Sequence, residues 1–463
     1  MRYTLTFREE DYAALTSHLF GAATEMGAYV LCKVATMEQE TRLLAREMLT
    51  IQNDEIEFAS LHEMKIKSVS FMRAMKRADE SDECFVFVHS HPKDLPAHSG
   101  QDDREEPKLF LTAFTRIRMA KVHASLVLSS PHMPVGRVWL PQGRTLPLDQ
   151  IRVLGQRFRF YGSAPCLQPN PTIYDRQIRA FGRDMQKMLA SLTIGVVGLG
   201  GTGSCVTEQL IRLGVGNLFL FDDQYFEDSN VTRVYGSRSI DLGIPKTKIL
   251  ERLAADIGLG TRVRLFAGNV ASLQVAKKLR ECDVLFGCTD DQQGRAVLNR
   301  IAIYYYIPVF DMGVLLDSED EIMRSICGRV TTLLPGAACL FCRRRITAEG
   351  ITAESLRGSN PAEAASRRRE GYLPALPERA PAVISFTTGV ASSAVNELLH
   401  RLTGFMGSDR SSTETIHFFD ISRVGTNSRA PRATCFCGDG SFWGRGDRSP
   451  YLDMIWGQDE IVP

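Results

Sequence analysis

Short apolar runs alternate with mixed stretches along the first third of the chain. Ala28–Val34 is apolar, the stretch around Ser68–Arg77 reads as helix, and Cys84–Val88 reads as a buried strand. Pro92, Pro96 and Ser99 break the pattern directly after that strand. The segment Gly162–Pro171 is rich in proline and small residues and reads as an interdomain linker. After it, the apolar run Leu192–Val197, a glycine cluster, a helix to Leu213 and a second strand Leu218–Phe221 form the βαβ opening of a parallel sheet. Further strands are expected at Val263–Phe266, Val284–Phe286 and Pro308–Asp311. Thr347–Ala380 carries three prolines, a Ser-Arg-Arg-Arg-Glu run and few large apolar residues, which predicts a long exposed loop. The pattern gives an α/β chain with a domain over residues 1–155, a linker over 156–171 and a second domain after it that holds the long exposed segment 347–380.

Composition narrows the function classes. The chain has 463 residues, 44% of them apolar, enough for two or three domains at about 150 residues each. Fifty-five Lys and Arg against 54 Asp and Glu leave +1, so no overall field draws in nucleic acid or an anionic membrane. No apolar run approaches the ~18 residues of a membrane span, and Met1–Phe20 is interleaved with charges where a signal peptide needs an apolar core. A cytoplasmic protein is expected. Eleven cysteines, an odd number, argue against a secreted disulfide framework, while the pairs Cys339/Cys342 and Cys435/Cys437 point to metal.

Two imidazoles and a carboxylate follow the strand at Cys84–Val88. His89 and His91 flank Ser90, and alternate strand residues share a face, so both rings lie on one side. With Asp102 they make a donor set suited to catalytic zinc. His89-Ser90-His91-Pro92 with Ser99 and Asp102 resembles the JAB/JAMM (MPN+) metalloprotease motif, whose members remove ubiquitin-like proteins from their targets. The resemblance implies an upstream glutamate as general base, and Glu25, just before Gly27 and an apolar strand, matches its position; Glu38, Glu40 and Glu47 lie nearby. It further implies that Ser99 hydrogen-bonds the oxyanion formed on the attacked carbonyl.

In the second domain Gly198-Leu199-Gly200-Gly201-Thr202-Gly203 follows a strand and opens a helix, a phosphate cradle, and Asp222 ends the next strand where a carboxylate meets ribose hydroxyls. These features alone fit NAD as well as ATP. Tyr174-Asp175-Arg176-Gln177, Ser229-Asn230-Val231-Thr232-Arg233, Lys246 and Cys288-Thr289-Asp290-Asp291 leading to Arg295 add more cations than a dinucleotide needs, and suit a triphosphate attacked at its α-phosphorus. Together they resemble the ThiF/MoeB family of ubiquitin-activating-enzyme-like adenylyltransferases. The resemblance implies a Rossmann-like domain in which Gly198, Gly200, Gly201 and Gly203 cradle phosphate, Asp222 binds ribose, Asn230, Arg233 and Lys246 contact the phosphates of ATP, and Asp290 handles Mg2+. Arg176 matches an arginine that reaches the partner's ATP site, which implies a homodimer. The chain departs from the family pattern at Gln224, where a second acid is frequent, and at Asp291, where asparagine is usual.

Cys339, Cys342, Cys435 and Cys437 supply four thiolates for a structural zinc, a pairing the ThiF/MoeB resemblance also implies, with the second pair one residue shorter than usual. Family members that pass their cargo onward carry a nucleophilic cysteine between these pairs, but Arg343–Phe405 contains none; only Ser385, Thr387 and Thr388 lie at the expected place. Transfer therefore goes either directly to a thiol-bearing conjugating partner or to a cysteine elsewhere, with Cys166, Cys205, Cys282, Cys288 and Cys327 as candidates. The reading that follows is a bifunctional enzyme of a bacterial-type ubiquitin-like pathway. One domain would adenylate the C-terminal glycine of a ubiquitin-like protein, and the other would trim its precursor or cleave its conjugates. The chain ends Glu460-Ile461-Val462-Pro463 without a diglycine, so the modifier is expected to be a separate protein. A sulfur-carrier activating enzyme, a non-catalytic scaffold for a ubiquitin-like fold and an NAD-dependent dehydrogenase are the alternatives.

Overall fold

The computed structural model describes residues 1–60, 64–91, 95–162, 169–319, 322–371, 373–374, 381–407 and 410–456. Pro92, residues 163–168 of the linker with Cys166 among them, and the last seven positions lie outside the described residues. The chain divides into two compact units, Met1–Ala164 with Gly444–Asp447, and Pro165–Trp443 with Arg448–Pro463.

The first unit is built on strands β1 (Arg2–Arg8), β2 (Gly27–Thr36), β3 (Glu40–Thr50), the small hairpin β4 (Ile56–Ala59) and β5 (Met64–Ile66), β6 (Cys84–Ser90), β7 (His123–Leu128), β8 (Pro134–Leu140), β9 (Arg144–Pro147), β10 (Gln150–Leu154) and β11 (Phe158–Tyr161). Its helices are α1 (Glu9–Leu19), α2 (Ser68–Ser81) and α3 (Asp102–Arg116). A mixed nine-stranded sheet runs β11-β10-β1-β3-β2-β6-β7-β8-β9. Strand β6 is buried throughout because β2 and β7 pair on its edges and side chains cover both faces, which is why its sequence is an unbroken apolar run and not an alternating one. Its residues divide by parity. Cys84, Val86 and Val88 join Leu5, Val30 and Leu126, while Phe85 and Phe87 pack with Tyr29, Ala74 and Phe110 against α2 and α3. His89 continues the phase of Phe87, stacking on its ring at 5.1 Å, and so faces the α3 side. Because β6 and β7 are parallel, the chain must cross between them, and α3 is the crossover.

The second unit carries β12 (Thr193–Val197), β13 (Asn217–Phe221), β14 (Arg262–Phe266), β15 (Val284–Gly287), β16 (Val309–Glu319), β17 (Ile322–Leu333), β18 (Glu414–Phe418) and β19 (Arg423–Asn427). Its helices are α4 (Asp175–Phe181), α5 (Arg183–Ser191), α6 (Gly201–Arg212), α7 (Lys246–Ile257), α8 (Leu273–Lys278), α9 (Gln292–Tyr304), α10 (Ala348–Ser359), α11 (Pro361–Arg369) and α12 (Ile384–Thr403). The sheet runs β14-β13-β12-β15-β16-β17-β18-β19, parallel from β14 to β16 and antiparallel beyond. Strand order reverses at β12, whose neighbours are β13 on one side and β15 on the other, so a crevice opens at its carboxyl end.

One expectation is corrected. The segment 347–380 is not a plain loop: it holds α10 and α11. Local chemistry explains both helices. The Thr347 hydroxyl accepts the Gly350 N–H at 3.0 Å, and the Asn360 side chain accepts that of Glu363, with Pro361 at the first helical position. Helix α10 is docked by the Glu354 carboxylate, which accepts the Gln292 and Gln293 N–H groups at the start of α9. After Gly438, Gly444–Asp447 group with the first unit, while within the second unit Trp443 donates its indole N–H to the Cys437 carbonyl and Tyr304 donates its hydroxyl to Asp453. Among the described residues no helix is long and apolar enough to cross a membrane.

Beneath the first sheet, Glu40 is buried on β3 and accepts from Thr4 Oγ1 (2.5 Å), Arg42 Nε (2.9 Å) and Arg152 Nη1 (2.9 Å). Burial pulls its carboxyl upward, but the two guanidinium groups more than reverse this and hold it well below the usual carboxylate range. Its contribution is therefore present at neutral pH and fades as the pH falls below that range. Glu40→Ala removes the carboxylate shared by two buried arginines and should lower the stability of this unit by about 3–5 kcal/mol. Urea unfolding followed by Trp139 fluorescence checks this, and an unchanged midpoint would contradict it.

Candidate functional site

Strand phase and a helix start bring the first site together. His89 and His91 leave β6 on one face, and their Nε2 atoms approach to 3.1 Å. Asp102, the first residue of α3, lies 3.2 Å from His89 Nε2 and 3.5 Å from His91 Nε2. All three are sheltered, and their ligand atoms converge within 4.8 Å, a fit to three protein ligands of one metal ion. Burial raises Asp102, yet hydrogen bonds from His89 and His91 outweigh it and hold the carboxyl below its ordinary range. Ser99 and Asp102 are locked reciprocally: Asp102 Oδ2 accepts the Ser99 N–H at 2.6 Å, and Ser99 Oγ accepts the Asp102 N–H at 3.2 Å. Glu25 is held at this end of β6 by main-chain register. Gly27 pairs with His89, the Ser90 N–H donates to the Met26 carbonyl, and the Glu25 N–H donates to the Ser60 carbonyl. Glu25 is buried within electrostatic reach of His91. The neighbouring acids lie elsewhere: Glu40 in its arginine network, Glu47 paired with Arg77, and Glu38 exposed.

The second site forms where β12 hands over to α6. Gly198 has φ +86°, which only glycine adopts freely, and the Gly203 Cα packs so tightly that an added Cβ would lie 1.8 Å from the Gly198 carbonyl oxygen. Gly200 has open space where a side chain would stand, so the main chain is bare to a ligand. Asp222 closes the turn, accepting the Leu199 N–H at 2.6 Å and the Gln224 N–H at 2.8 Å, with lone pairs to spare. Burial raises its carboxyl, partly offset by Lys246 and these amides. Arg233 lies beside Gly201, whose added Cβ would sit 3.4 Å from the Arg233 Cβ. Lys246 starts α7, is buried, and donates to Gln224 Oε1 at 2.6 Å, so Gln224 serves as the lysine's neutral anchor.

Other predicted residues sit differently. Asn230 is buried and shapes its own turn by accepting the Glu227 N–H. Asp290 is exposed, and the residue that caps α9 is Asp291, which accepts from Gly294 N–H and Thr289 Oγ1. Arg295 pairs with the fully buried Asp311 instead of standing open to the crevice. Arg176 is exposed on α4, away from any polar partner among the described residues.

Cys339, Cys342, Cys435 and Cys437 converge within 4.8 Å, with sulfur pairs at 3.5 and 3.6 Å, so the shorter Cys-Phe-Cys spacing still delivers both sulfurs. Hydrogen bonds from the Cys435 and Cys437 thiols hold Cys339 below the ordinary thiol range, and the same coupling pushes Cys437 above it. Cys205 and Cys288, by contrast, are pushed up by burial, and Cys282 is fully buried. Ser385 is exposed on the first turn of α12, Thr387 is buried, and Thr388 shares a hydrogen bond with the Tyr235 hydroxyl.

The family model described as ThiF family matches residues 174–437. The chain belongs to the ThiF family. The model described as prokaryotic homologs of the JAB domain matches residues 13–140, so this ThiF-family chain carries a JAB domain ahead of its ThiF domain. Curated relatives include ubiquitin-like modifier-activating enzyme 5 of Arabidopsis thaliana, 25% identical over 37% of this chain and 45% of that protein. Sulfur carrier protein ThiS adenylyltransferase of Bacillus subtilis is 27% identical over 36% of this chain and 49% of its own length. SAMP-activating enzyme E1 of Haloferax volcanii is 28% identical over 35% of this chain and 56% of its own length. The chain thus spans about half the length of these relatives.

Sequence reading missed a buried polar group beside the first site: His98, Ser125, Glu106, Arg137 and Trp139. The available signal was helical spacing, since Glu106 lies one turn after Asp102 on the same face of α3. For the glycine loop, Gly203→Ala should abolish the stabilisation of the second unit by nucleotide. Thermal unfolding with and without ATP and magnesium checks it, and an undiminished shift in the variant would count against the loop as the phosphate site.

Proposed function

We propose that the chain is a bifunctional enzyme that adenylates the C-terminal glycine of a separate ubiquitin-like protein and hydrolyses bonds formed by, or extending beyond, that terminus. The observation that carries the reading is the presence in one chain of a sheltered His89–His91–Asp102 set with Glu25 beside it, and a bare glycine loop flanked by Asp222, Arg233 and Lys246. In the first half-reaction a carboxylate oxygen of the carrier attacks the α-phosphorus of ATP, the bond to the bridging oxygen breaks, and pyrophosphate leaves. Backbone N–H groups of the loop and α6 receive phosphate oxygens, Arg233 and Lys246 answer the charge that builds up, and Asp222 holds the ribose. Asp290, exposed at the crevice side of α9, is the residue that would meet magnesium. Arg176 would act across a homodimer.

At the other site, zinc held by His89, His91 and Asp102 would supply Lewis acidity. Glu25 takes the proton of the attacking water and later returns one to the leaving amine. Ser99 donates its hydroxyl hydrogen to the oxyanion while its oxygen keeps the Asp102 N–H, so the two roles do not compete. Hydrolysis precedes adenylation, because only a free carboxylate attacks ATP. The four cysteines would hold a structural zinc. We place the hydrolase within residues 1–155 and the adenylating domain within 172–438, in a cytoplasmic enzyme.

The absence of cysteine between Arg343 and Phe405 favours one second reading, in which the adenylate passes to sulfide and leaves a carrier thiocarboxylate. The alternative route hands the adenylate to a thiol on a conjugating protein.

The test is retrieval of the carrier from the native host on a His89→Ala, His91→Ala chain with ATP and magnesium, with intact mass read before and after reductant. A small glycine-ended protein recovered as adenylate, or as an adduct lost on reduction, is expected; a thiocarboxylate product selects the sulfur-carrier reading. Failure to recover any carrier, together with no carrier-dependent pyrophosphate release, would leave only a scaffold. With the carrier in hand, Lys246→Ala should slow ATP–pyrophosphate exchange by about 100-fold or more. His91→Ala should spare that exchange while removing hydrolysis.

A further inference from the structure

Lys246 is 6% exposed, so its ammonium must be satisfied from within the crevice wall. A carboxylate partner would answer both the hydrogen bond and the charge, whereas an amide oxygen answers the hydrogen bond alone. The partner here is the amide oxygen of Gln224, 2.6 Å from Nζ, and this is the one hydrogen bond of the ammonium among the described residues. The ammonium carries three hydrogens, so two are left over.

The neighbouring acids are turned to other work. Asp222 Oδ2 accepts the Leu199 N–H at 2.6 Å, and Oδ1 accepts the Gln224 N–H at 2.8 Å. Lys246 acts on this carboxylate electrostatically, from beyond the 4.0 Å of an ion pair. Asp223 is exposed and accepts from Asn269 Nδ2 at 2.9 Å. Gln224 is also fixed through its main chain. Its carbonyl accepts the Lys246 N–H at 3.1 Å, Tyr225 and Pro245 form an antiparallel bridge, and the Phe226 N–H donates to the Ile244 carbonyl at 2.8 Å. The backbone therefore brings residue 224 against residue 246 whatever its side chain is, and the side chain decides only the charge of the contact.

We propose that Gln224 is a positioning residue of the adenylation site: its neutral amide oxygen holds the Lys246 ammonium at the crevice wall and leaves the positive charge uncancelled for the phosphates of ATP. The role rests on the reading that Lys246 meets those phosphates. It extends that reading from the cation to the residue that presents it.

Gln224→Glu in the full-length chain isolates the role, because the carboxylate keeps the length and an acceptor for the ammonium while cancelling its charge. Affinity for ATP with magnesium, measured by calorimetry, should fall by about 10-fold or more. That affinity should also respond less to added salt than the wild-type affinity does, while thermal unfolding without nucleotide stays at the wild-type temperature. A residue that only held the turn would move the unfolding temperature and leave the salt response alone. Wild-type ATP affinity in a folded Gln224→Glu chain, or a loss with an unchanged salt response, overturns the proposal. Should that variant fail to fold, Gln224→Met removes the acceptor without adding charge. Its ATP affinity should fall by about threefold or more, and an unchanged affinity overturns the proposal. Lys246→Ala tells the two readings apart. ATP affinity indifferent to that change overturns the lysine as a phosphate contact and this role with it. Affinity that falls in Lys246→Ala but not in Gln224→Glu overturns the role of Gln224 alone.

Discussion

Two parallel strands cannot be joined by a tight turn, and both candidate sites exist because of that constraint. Strands β6 and β7 are parallel and linked through α3; β12 and β13 are parallel and linked through α6. In each case the chain leaves the carboxyl end of a buried strand, turns, and starts a helix. The last strand residues and the first helical residues are thereby gathered above the sheet. The first unit uses this geometry to set two imidazoles against a carboxylate. The second uses it to bare a glycine backbone to an anion.

The difference between the two sites follows from which atoms line the turn. At β12 the work is done by main chain, so side chains are excluded: the contact between Gly203 and the Gly198 carbonyl leaves no room for a Cβ. At β6 the work is done by side chains, so their direction matters, and the parity that sends Phe85 and Phe87 toward α3 also sends His89 there. Charge is supplied late in both. Asp102 arrives with α3, and Lys246 arrives with α7, anchored by Gln224.

Much of this was legible in the residues. The glycine spacing, the His-Ser-His triplet and the cysteine pairs are short patterns with stiff geometric requirements, and the structure gathers each where its pattern implies. Context was harder to read. Residues 347–380 carry few large apolar side chains, so their helices, held by polar caps and the Glu354 contact, leave little hydrophobic period to detect. Glu106 belongs to the run Asp102-Asp103-Arg104-Glu105-Glu106, where only its spacing from Asp102 sets the buried acid apart from exposed neighbours. Asp290 and Asp291 are chemically identical, and only the helix start shows that the second one is the cap. Arg295 looked like a phosphate ligand because its partner, Asp311, comes from a different strand.

The cysteine cluster gives the crossing segment an unusual topology. Cys339 and Cys342 lie just before α10, and Cys435 and Cys437 lie beyond β19, so the four sulfurs tie together the two ends of an excursion containing α10, α11 and α12. Strand β18, inside it, is paired by main chain to β17, which lies before it, from Cys327–Phe418 to Thr331–Glu414. With a metal ion on the four sulfurs, the excursion would be a closed ring. A single proteolytic cut inside it would leave two fragments still joined at the neck, and changes in its length would alter the ring's circumference without moving the sheet on which the nucleotide crevice is built.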